Sequence, residues 1–212
     1  MRKCTGFFGG TFDPIHLGHL RLALEVKQQL ALDEMYLVPC YIPPHRASPK
    51  VDARQRLKML QLALSDCAGL RWDARELQRE LPSYTYDTLR ELRAELGAET
   101  SIAWCMGMDS FVGLDTWHRW QELLDLAHLV VVARPGWQLP QQGVIAEMVA
   151  QHRAPPDAIR MAASGKLVML EQRLLPVSAT EIRAQIRAGE SPQFLIPDRV
   201  WRYIRAQGLY RS

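Results

Sequence analysis

Two histidines three residues apart, His16 and His19, follow a glycine pair within Gly9-Gly10-Thr11-Phe12-Asp13-Pro14-Ile15-His16-Leu17-Gly18-His19. Imidazole rings can donate hydrogen bonds to phosphate oxygens, and main-chain N–H groups that approach closely can hold the same anion. Gly9 and Gly10 are read as the turn between a strand and a helix, using backbone angles closed to other residues. The helix behind them adds its positive N-terminal end, with both histidines in its first turn. Gly18 leaves a side-chain-free patch on which a base can lie. A metal pair is the competing reading of His-x-x-His, but no Cys, third His or spaced acidic group nearby completes a zinc set. Nor is this a Walker loop, since no Gly-Lys-Ser/Thr follows the glycines.

The flanking pattern supplies the elements that must position these groups. A β-rich run at Thr5 to Gly9 precedes the signature, and a helical apolar stripe of Leu17, Leu20, Leu24 and Ala31, with Leu22, Val26 and Leu30 beside it, follows. Further strand-like runs are predicted at Met35 to Pro39, Leu70 to Asp73, Ser101 to Met106, Leu129 to Ala133 and Leu167 to Leu170. Helices are predicted at Val51 to Ser65, opened by a capping box of Asp52 and Gln55, and at Thr85 to Leu96, closed by Gly97. Alternating strands and helices, with runs apolar on both faces, imply an α/β fold with a doubly wound parallel sheet. Such sheets bind ligands beyond the strands' carboxyl ends, where the winding reverses, and the glycines and histidines belong there. Residues 1–212 are read as a single domain with a small C-terminal helical part at 178–212. Pro39 to Pro49 reads as a loop over a pocket, and 134–165, rich in Pro and Gly around one helix near Val144 to His152, as an insertion or mobile excursion.

Near the C-terminus, Val177-Ser178-Ala179-Thr180-Glu181-Ile182-Arg183 opens another helix, with Ser178 as N-cap and Glu181 at the capping-box position. An Arg183 in the first turn would oppose the helix dipole, so a phosphate or a neighbouring carboxylate is expected beside it. Other segments are weaker alone: Tyr84 and Trp117 also read as core aromatics, Asp109 as a helix cap, and His45 as a loop surface residue.

A chain of 212 residues, 48% hydrophobic, can bury about 70% of its unfolded surface in one core. Its net charge of +3 and the lack of a basic run give no nucleic-acid footprint. Cys4, Cys40, Cys67 and Cys105 form no Cys-x-x-Cys pair, which suits reduced thiols in a cytoplasm. No signal peptide is read, and no apolar run approaches the roughly 20 residues of a membrane span. Nothing in the sequence sets an oligomeric state.

The eleven-residue string resembles the HxGH signature of the nucleotidyltransferases related to class I aminoacyl-tRNA synthetases. The 177–183 string resembles the Ile-Ser-Ser-Thr-x-x-Arg motif of the same adenylyltransferases, from which Val177 and Ala179 depart. Pro43-Pro44-His45-Arg46, Pro82-Ser83-Tyr84-Thr85, Gly107-Met108-Asp109-Ser110-Phe111, Thr116-Trp117-His118-Arg119-Trp120 and Phe194-Leu195-Ile196-Pro197 extend the likeness to bacterial nicotinate mononucleotide adenylyltransferases over nearly the whole chain.

This resemblance implies a Rossmann-like nucleotidyltransferase fold and transfer of AMP from ATP to nicotinate mononucleotide, giving deamido-NAD and pyrophosphate. It implies ATP binding by Gly9, Gly10, Thr11, Phe12, His16, Gly18, His19, Ser178, Thr180 and Arg183, with His16, His19 and Arg183 catalytic. The mononucleotide falls to His45, Arg46, Tyr84, Thr85, Asp109, Trp117 and Arg134, with backbone N–H groups near Thr85 and Trp117-His118 meeting a carboxylate. Mg2+ is expected to arrive with ATP, with no protein metal site. The pantetheine phosphate enzyme of the same fold and a nicotinamide mononucleotide enzyme are the nearest alternatives; a non-catalytic nucleotide-binding regulator is the alternative of another class. A tRNA synthetase is excluded for want of a Lys-Met-Ser-Lys-Ser-like string and a tRNA-reading domain.

Overall fold

The computed structural model describes residues 2–43, 49–79, 82–133, 135–172 and 175–211. Its strands are β1 (Cys4–Gly10), β2 (Glu34–Pro39), β3 (Arg71–Trp72), β4 (Ser101–Gly107), β5 (His128–Ala133) and β6 (Leu167–Glu171). They form one parallel sheet in the order β3-β2-β1-β4-β5-β6. The helices are α1 (Leu17–Gln29), α2 (Ala53–Leu64), α3 (Arg75–Gln78), α4 (Thr85–Leu96), α5 (Met108–Phe111), α6 (Leu123–Leu126), α7 (Val144–His152), α8 (Ala179–Arg187) and α9 (Asp198–Gln207).

Side chains alternate across the sheet, so each strand feeds two cores. Phe8, Met35, Leu37, Cys105, Val130, Val132 and Val168 meet α1, α2, α8 and α9 on one face. Phe7, Val38, Trp104, Met106, Leu129 and Val131 meet α4, α5, α6 and α7 on the other. β5 is therefore buried along its whole length, as a strand covered on both sides must be. The C-terminal helices share the first core through Ile182, Ile186, Val200 and Ile204.

The chain winds outward from β1 through β2 to β3, then returns to place β4 on the other side of β1. Winding thus reverses between β1 and β4, which opens a crevice at their carboxyl ends, Gly10 and Gly107. The expected helix signals operate: Gln55 N–H donates to Asp52 Oδ1 at 2.8 Å, and Gly97, at φ 80°, ends α4.

Three local expectations change. β1 extends to Gly10, so both glycines lie in the strand rather than the turn. The Leu70 to Asp73 strand shortens to exposed Arg71–Trp72, because it pairs only with β2 at the sheet edge. The part of 134–165 that is described, 135–165, is the crossover from β5 to β6: Ile145 and Met148 of α7 and Ile159 are buried, and Arg160 donates to Arg2 O. Apolar residues spaced between its prolines tie it down.

Candidate active site

Neither Gly9 nor Gly10 has positive φ, so backbone conformation does not explain them. Space does: a Cβ on Gly9 would stand 2.6 Å from the Trp104 ring, and one on Gly10 would stand 2.7 Å from the Phe12 ring. The left-handed residue of the turn is Phe12 itself, at φ 48° and 1% exposed. Its ring packs edge-on against Phe8 and, at 5.1 Å between centroids, against His19. A bulky residue in this backbone region carries strain, which burial of the ring holds in place.

His16 is the N-cap of α1, one position before the first turn, and His19 is the third helical residue. His19 N–H donates to His16 Nδ1 and His16 N–H donates to His19 Nδ1, each at 3.3 Å, so two imidazoles form a reciprocal capping box. Their rings stack at 3.6 Å with 22° between planes. A ring whose Nδ1 accepts carries its neutral-form proton on Nε2. The cap therefore fixes both tautomers and presents two Nε2–H donors. Burial pushes His16 down to about 4, so it is uncharged at neutral pH. Gly18 serves this arrangement, since a Cβ there would come 3.0 Å from the His16 ring. The expected bare patch is first of all clearance for His16.

Ser178 caps α8, accepting from Glu181 N–H at 3.1 Å. Arg183 is the fifth residue of that helix, not in its first turn, so the dipole conflict falls away. Its Nη1 donates to Asp13 O at 2.7 Å and its Nη2 to Thr180 Oγ1 at 3.2 Å; among the described residues it makes no ion pair with a carboxylate. Arg183 thus ties α8 to the turn between β1 and α1. Asp13 is buried and acts as a junction: Oδ2 accepts from Lys50 N–H at 2.7 Å, and Oδ1 from the Tyr210 hydroxyl at 2.6 Å.

Beyond the β2 exit, where Ser83 N–H donates to Ile42 O at 3.0 Å, Tyr84 precedes α4 and Thr85 begins it without a side-chain cap, so the N–H groups of a helix start lie there. The Tyr84 and His118 rings are 4.7 Å apart, bringing the 117–118 turn beside the head of α4. Asp109 is exposed in the first turn of α5, directly after β4. Trp117 is half-buried against the second core, and its N–H donates to Leu114 O at 2.9 Å, which removes it from the expected carboxylate donors. His45, Arg46 and Arg134 lie outside the described residues.

A model of the cytidylyltransferase-like family matches residues 7–185. A Cellvibrio japonicus protein named "probable nicotinate-nucleotide adenylyltransferase" is 62% identical over the full length of both chains. The chain belongs to the nicotinate-nucleotide adenylyltransferases. A Pseudomonas aeruginosa protein of the same name is 47% identical, covering 100% of this chain and 99% of its own. The fold matches that of a Plasmodium falciparum nicotinic acid mononucleotide adenylyltransferase complexed with NaAD, at 16% identity and TM-score 0.76, over 99% of this chain and 98% of that one.

In this adenylyltransferase, sequence reading gave no role to Asp13, Tyr210 or Arg56. The side chain of Arg56 is 1% exposed, and a signal for it existed: it shares the apolar stripe of α2 with Met59, Leu60 and Leu64. Asp13 and Tyr210 are 197 residues apart and carry no local signal. Among the described residues no three His, Cys, Asp or Glu gather as a metal cage. The imidazole N–H groups at the head of α1 offer a cation no oxygen ligand.

Proposed function

We propose that this chain transfers the AMP group of ATP to nicotinate mononucleotide, forming nicotinate adenine dinucleotide and pyrophosphate in the cytoplasm. The observation that carries the reading is the reciprocal His16–His19 cap at the winding reversal, which leaves two imidazole N–H donors, that of His16 uncharged, where phosphate is expected. The acceptor phosphate is already an oxyanion, so no base is required. One of its oxygens forms a bond to the α-phosphorus while the bond from that phosphorus to the β-bridging oxygen breaks, and the electron pair leaves with pyrophosphate. Catalysis then reduces to alignment and charge stabilisation.

In this reading His16 and His19 donate to the α-phosphate region and the departing oxygens. Backbone groups at Gly9 and Gly10, the end of β1, and at Thr11 and Phe12 in the turn after it complete the phosphate side, and Gly18 keeps the histidine stack open. Thr180 and Ser178 offer hydroxyl protons, and Arg183 closes the triphosphate side. His45, Arg46 and Arg134 are assigned to the mononucleotide by the sequence resemblance alone. Tyr84, Thr85, Asp109 and Trp117 receive the mononucleotide, whose cationic ring suits an aromatic face. Mg2+ arriving with ATP would supply charge neutralisation for the triphosphate. The C-terminal helices' place in the first core supports reading 1–212 as one nucleotidyltransferase domain.

Purified protein supplied with ATP and Mg2+ should release pyrophosphate with nicotinate mononucleotide and yield the dinucleotide by mass. Turnover of pantetheine phosphate in its place would reject the acceptor, and no release with any phosphorylated acceptor would favour a non-catalytic binder.

A further inference from the structure

Arg56 is among the largest fully buried side chains of the molecule. Its Nη1 donates to Thr11 O at 2.8 Å and Cys40 O at 2.6 Å, and its Nη2 donates to Tyr41 O at 2.9 Å. Its Nε is buried without a partner, and no carboxylate pairs with it among the described residues. A buried cation satisfied only by carbonyls costs more than an apolar side chain of the same volume. Core filling therefore does not account for arginine here, and what it holds supplies a reason.

Thr11 directly follows β1, and Cys40 and Tyr41 directly follow β2. Arg56 gathers the carbonyls of both exits, whose backbones are also joined by Cys40 N–H donating to Gly10 O at 3.0 Å. In a trans peptide the C=O of one residue and the N–H of the next point in opposite directions. With the Thr11 carbonyl drawn inward to Arg56, the Phe12 N–H is aimed away from the buried guanidinium. The same turn carries Phe12 at φ 48° and sets the ring that abuts His19.

We propose that Arg56 is a positioning residue for the triphosphate: without touching ATP, it orients the Thr11–Phe12 peptide toward phosphate and lends that turn its positive charge. The inference rests on the proposed ATP site. Its action is confined to the β1 and β2 exits, so it predicts a selective effect on one substrate. Of the mononucleotide groups, Asp109 follows β4 across the winding reversal, whereas Tyr84 and Thr85 reach the β2 exit only through Ser83, whose N–H donates to Ile42 O at 3.0 Å and whose Oγ accepts from Tyr41 N–H at 2.8 Å, which leaves the mononucleotide the smaller effect.

Equilibrium binding of a non-hydrolysable ATP analogue and of nicotinate mononucleotide should be measured separately for wild type, Arg56→Lys and Arg56→Gln, with folding checked by circular dichroism. We expect Gln to weaken the analogue at least 10-fold and Lys, which keeps the charge but not the forked geometry, about 3-fold, while mononucleotide affinity stays within 2-fold. Unchanged analogue binding in a folded variant, or equal loss of both ligands, would overturn the inference. If Gln does not fold, the Lys variant decides by the same selectivity. On wild type, hydrogen exchange at the Phe12 amide should slow when the analogue binds, and an unprotected amide would overturn the inference even if neither variant folds. Wild-type protein that binds no analogue would instead reject the ATP site itself.

Discussion

In the proposed site, phosphate oxygens arriving at His16 and His19 would meet donors oriented in advance, because each ring commits its Nδ1 to the other residue's amide. Preorganised donors of this kind act most strongly where charge develops, and losing one typically lowers turnover by about 100-fold or more. His19→Ala should therefore cut kcat by about that factor while circular dichroism stays native; near-normal turnover would contradict the assignment. His16 adds a pH signature. Burial holds it at about 4 against an ordinary 6.5, so between those values the unfolded chain binds a proton that the folded chain does not. Stability then rises with pH across this window: the contribution is complete above 6.5 and lost as pH falls through about 4. Its size is on the order of 3 kcal/mol. Asn also caps helices but does not titrate, so His16→Asn should show a flatter dependence of Tm on pH from 6.5 down to 4. Parallel curves for the two proteins would show that His16 is not the group responsible.

Strand β1, the turn and α1 act as one unit, and glycine makes that unit possible. A methyl at Gly10 would collide with the Phe12 ring, which abuts His19. Overpacking of this kind costs about 1–3 kcal/mol. Gly10→Ala should lower kcat at least 10-fold by displacing His19, with a smaller effect on mononucleotide affinity; unchanged kcat would mean that the ring and His19 are uncoupled. Strands, caps and the sheet's double winding were legible because two-sided apolar runs and N-cap residues are local signals, as at Leu129 to Ala133, Asp52 and Ser178. The reason for the glycines was not legible. Their constraint comes from Trp104 and Phe12, one of them on a neighbouring strand, whereas sequence suggests only conformational freedom. The prolines of 134–165 likewise suggested an excursion because prolines interrupt local pattern. The anchors Ile145, Met148 and Ile159 act only through packing against distant strands. Arg183 was placed in the first helical turn by counting from a loosely set start, although Ser178 had been read correctly as the cap.

The signature near the N-terminus is fastened to the end of the chain. Tyr210, buried and at φ 64°, donates its hydroxyl to Asp13, and Asp13 O receives Arg183. Burial and the neighbouring Asp13 carboxylate push the Tyr210 hydroxyl's pKa up, so it remains a donor. Tyr210→Phe would leave a buried carboxylate oxygen without that partner, a loss of about 1–3 kcal/mol. Lower Tm together with weaker ATP binding is expected, and an unchanged KM for ATP would separate this tie from the site. The central claim concerns the acceptor. In the proposed site, N–H donors at the head of α4 would satisfy a carboxylate, whereas the amide's NH2 group would face them donor to donor, and several such failed contacts would compound into strong rejection. The direct measurement is kcat/KM for nicotinate mononucleotide and nicotinamide mononucleotide under identical ATP and Mg2+. A strong preference for the acid is predicted; equal values, or preference for the amide, would contradict the claim.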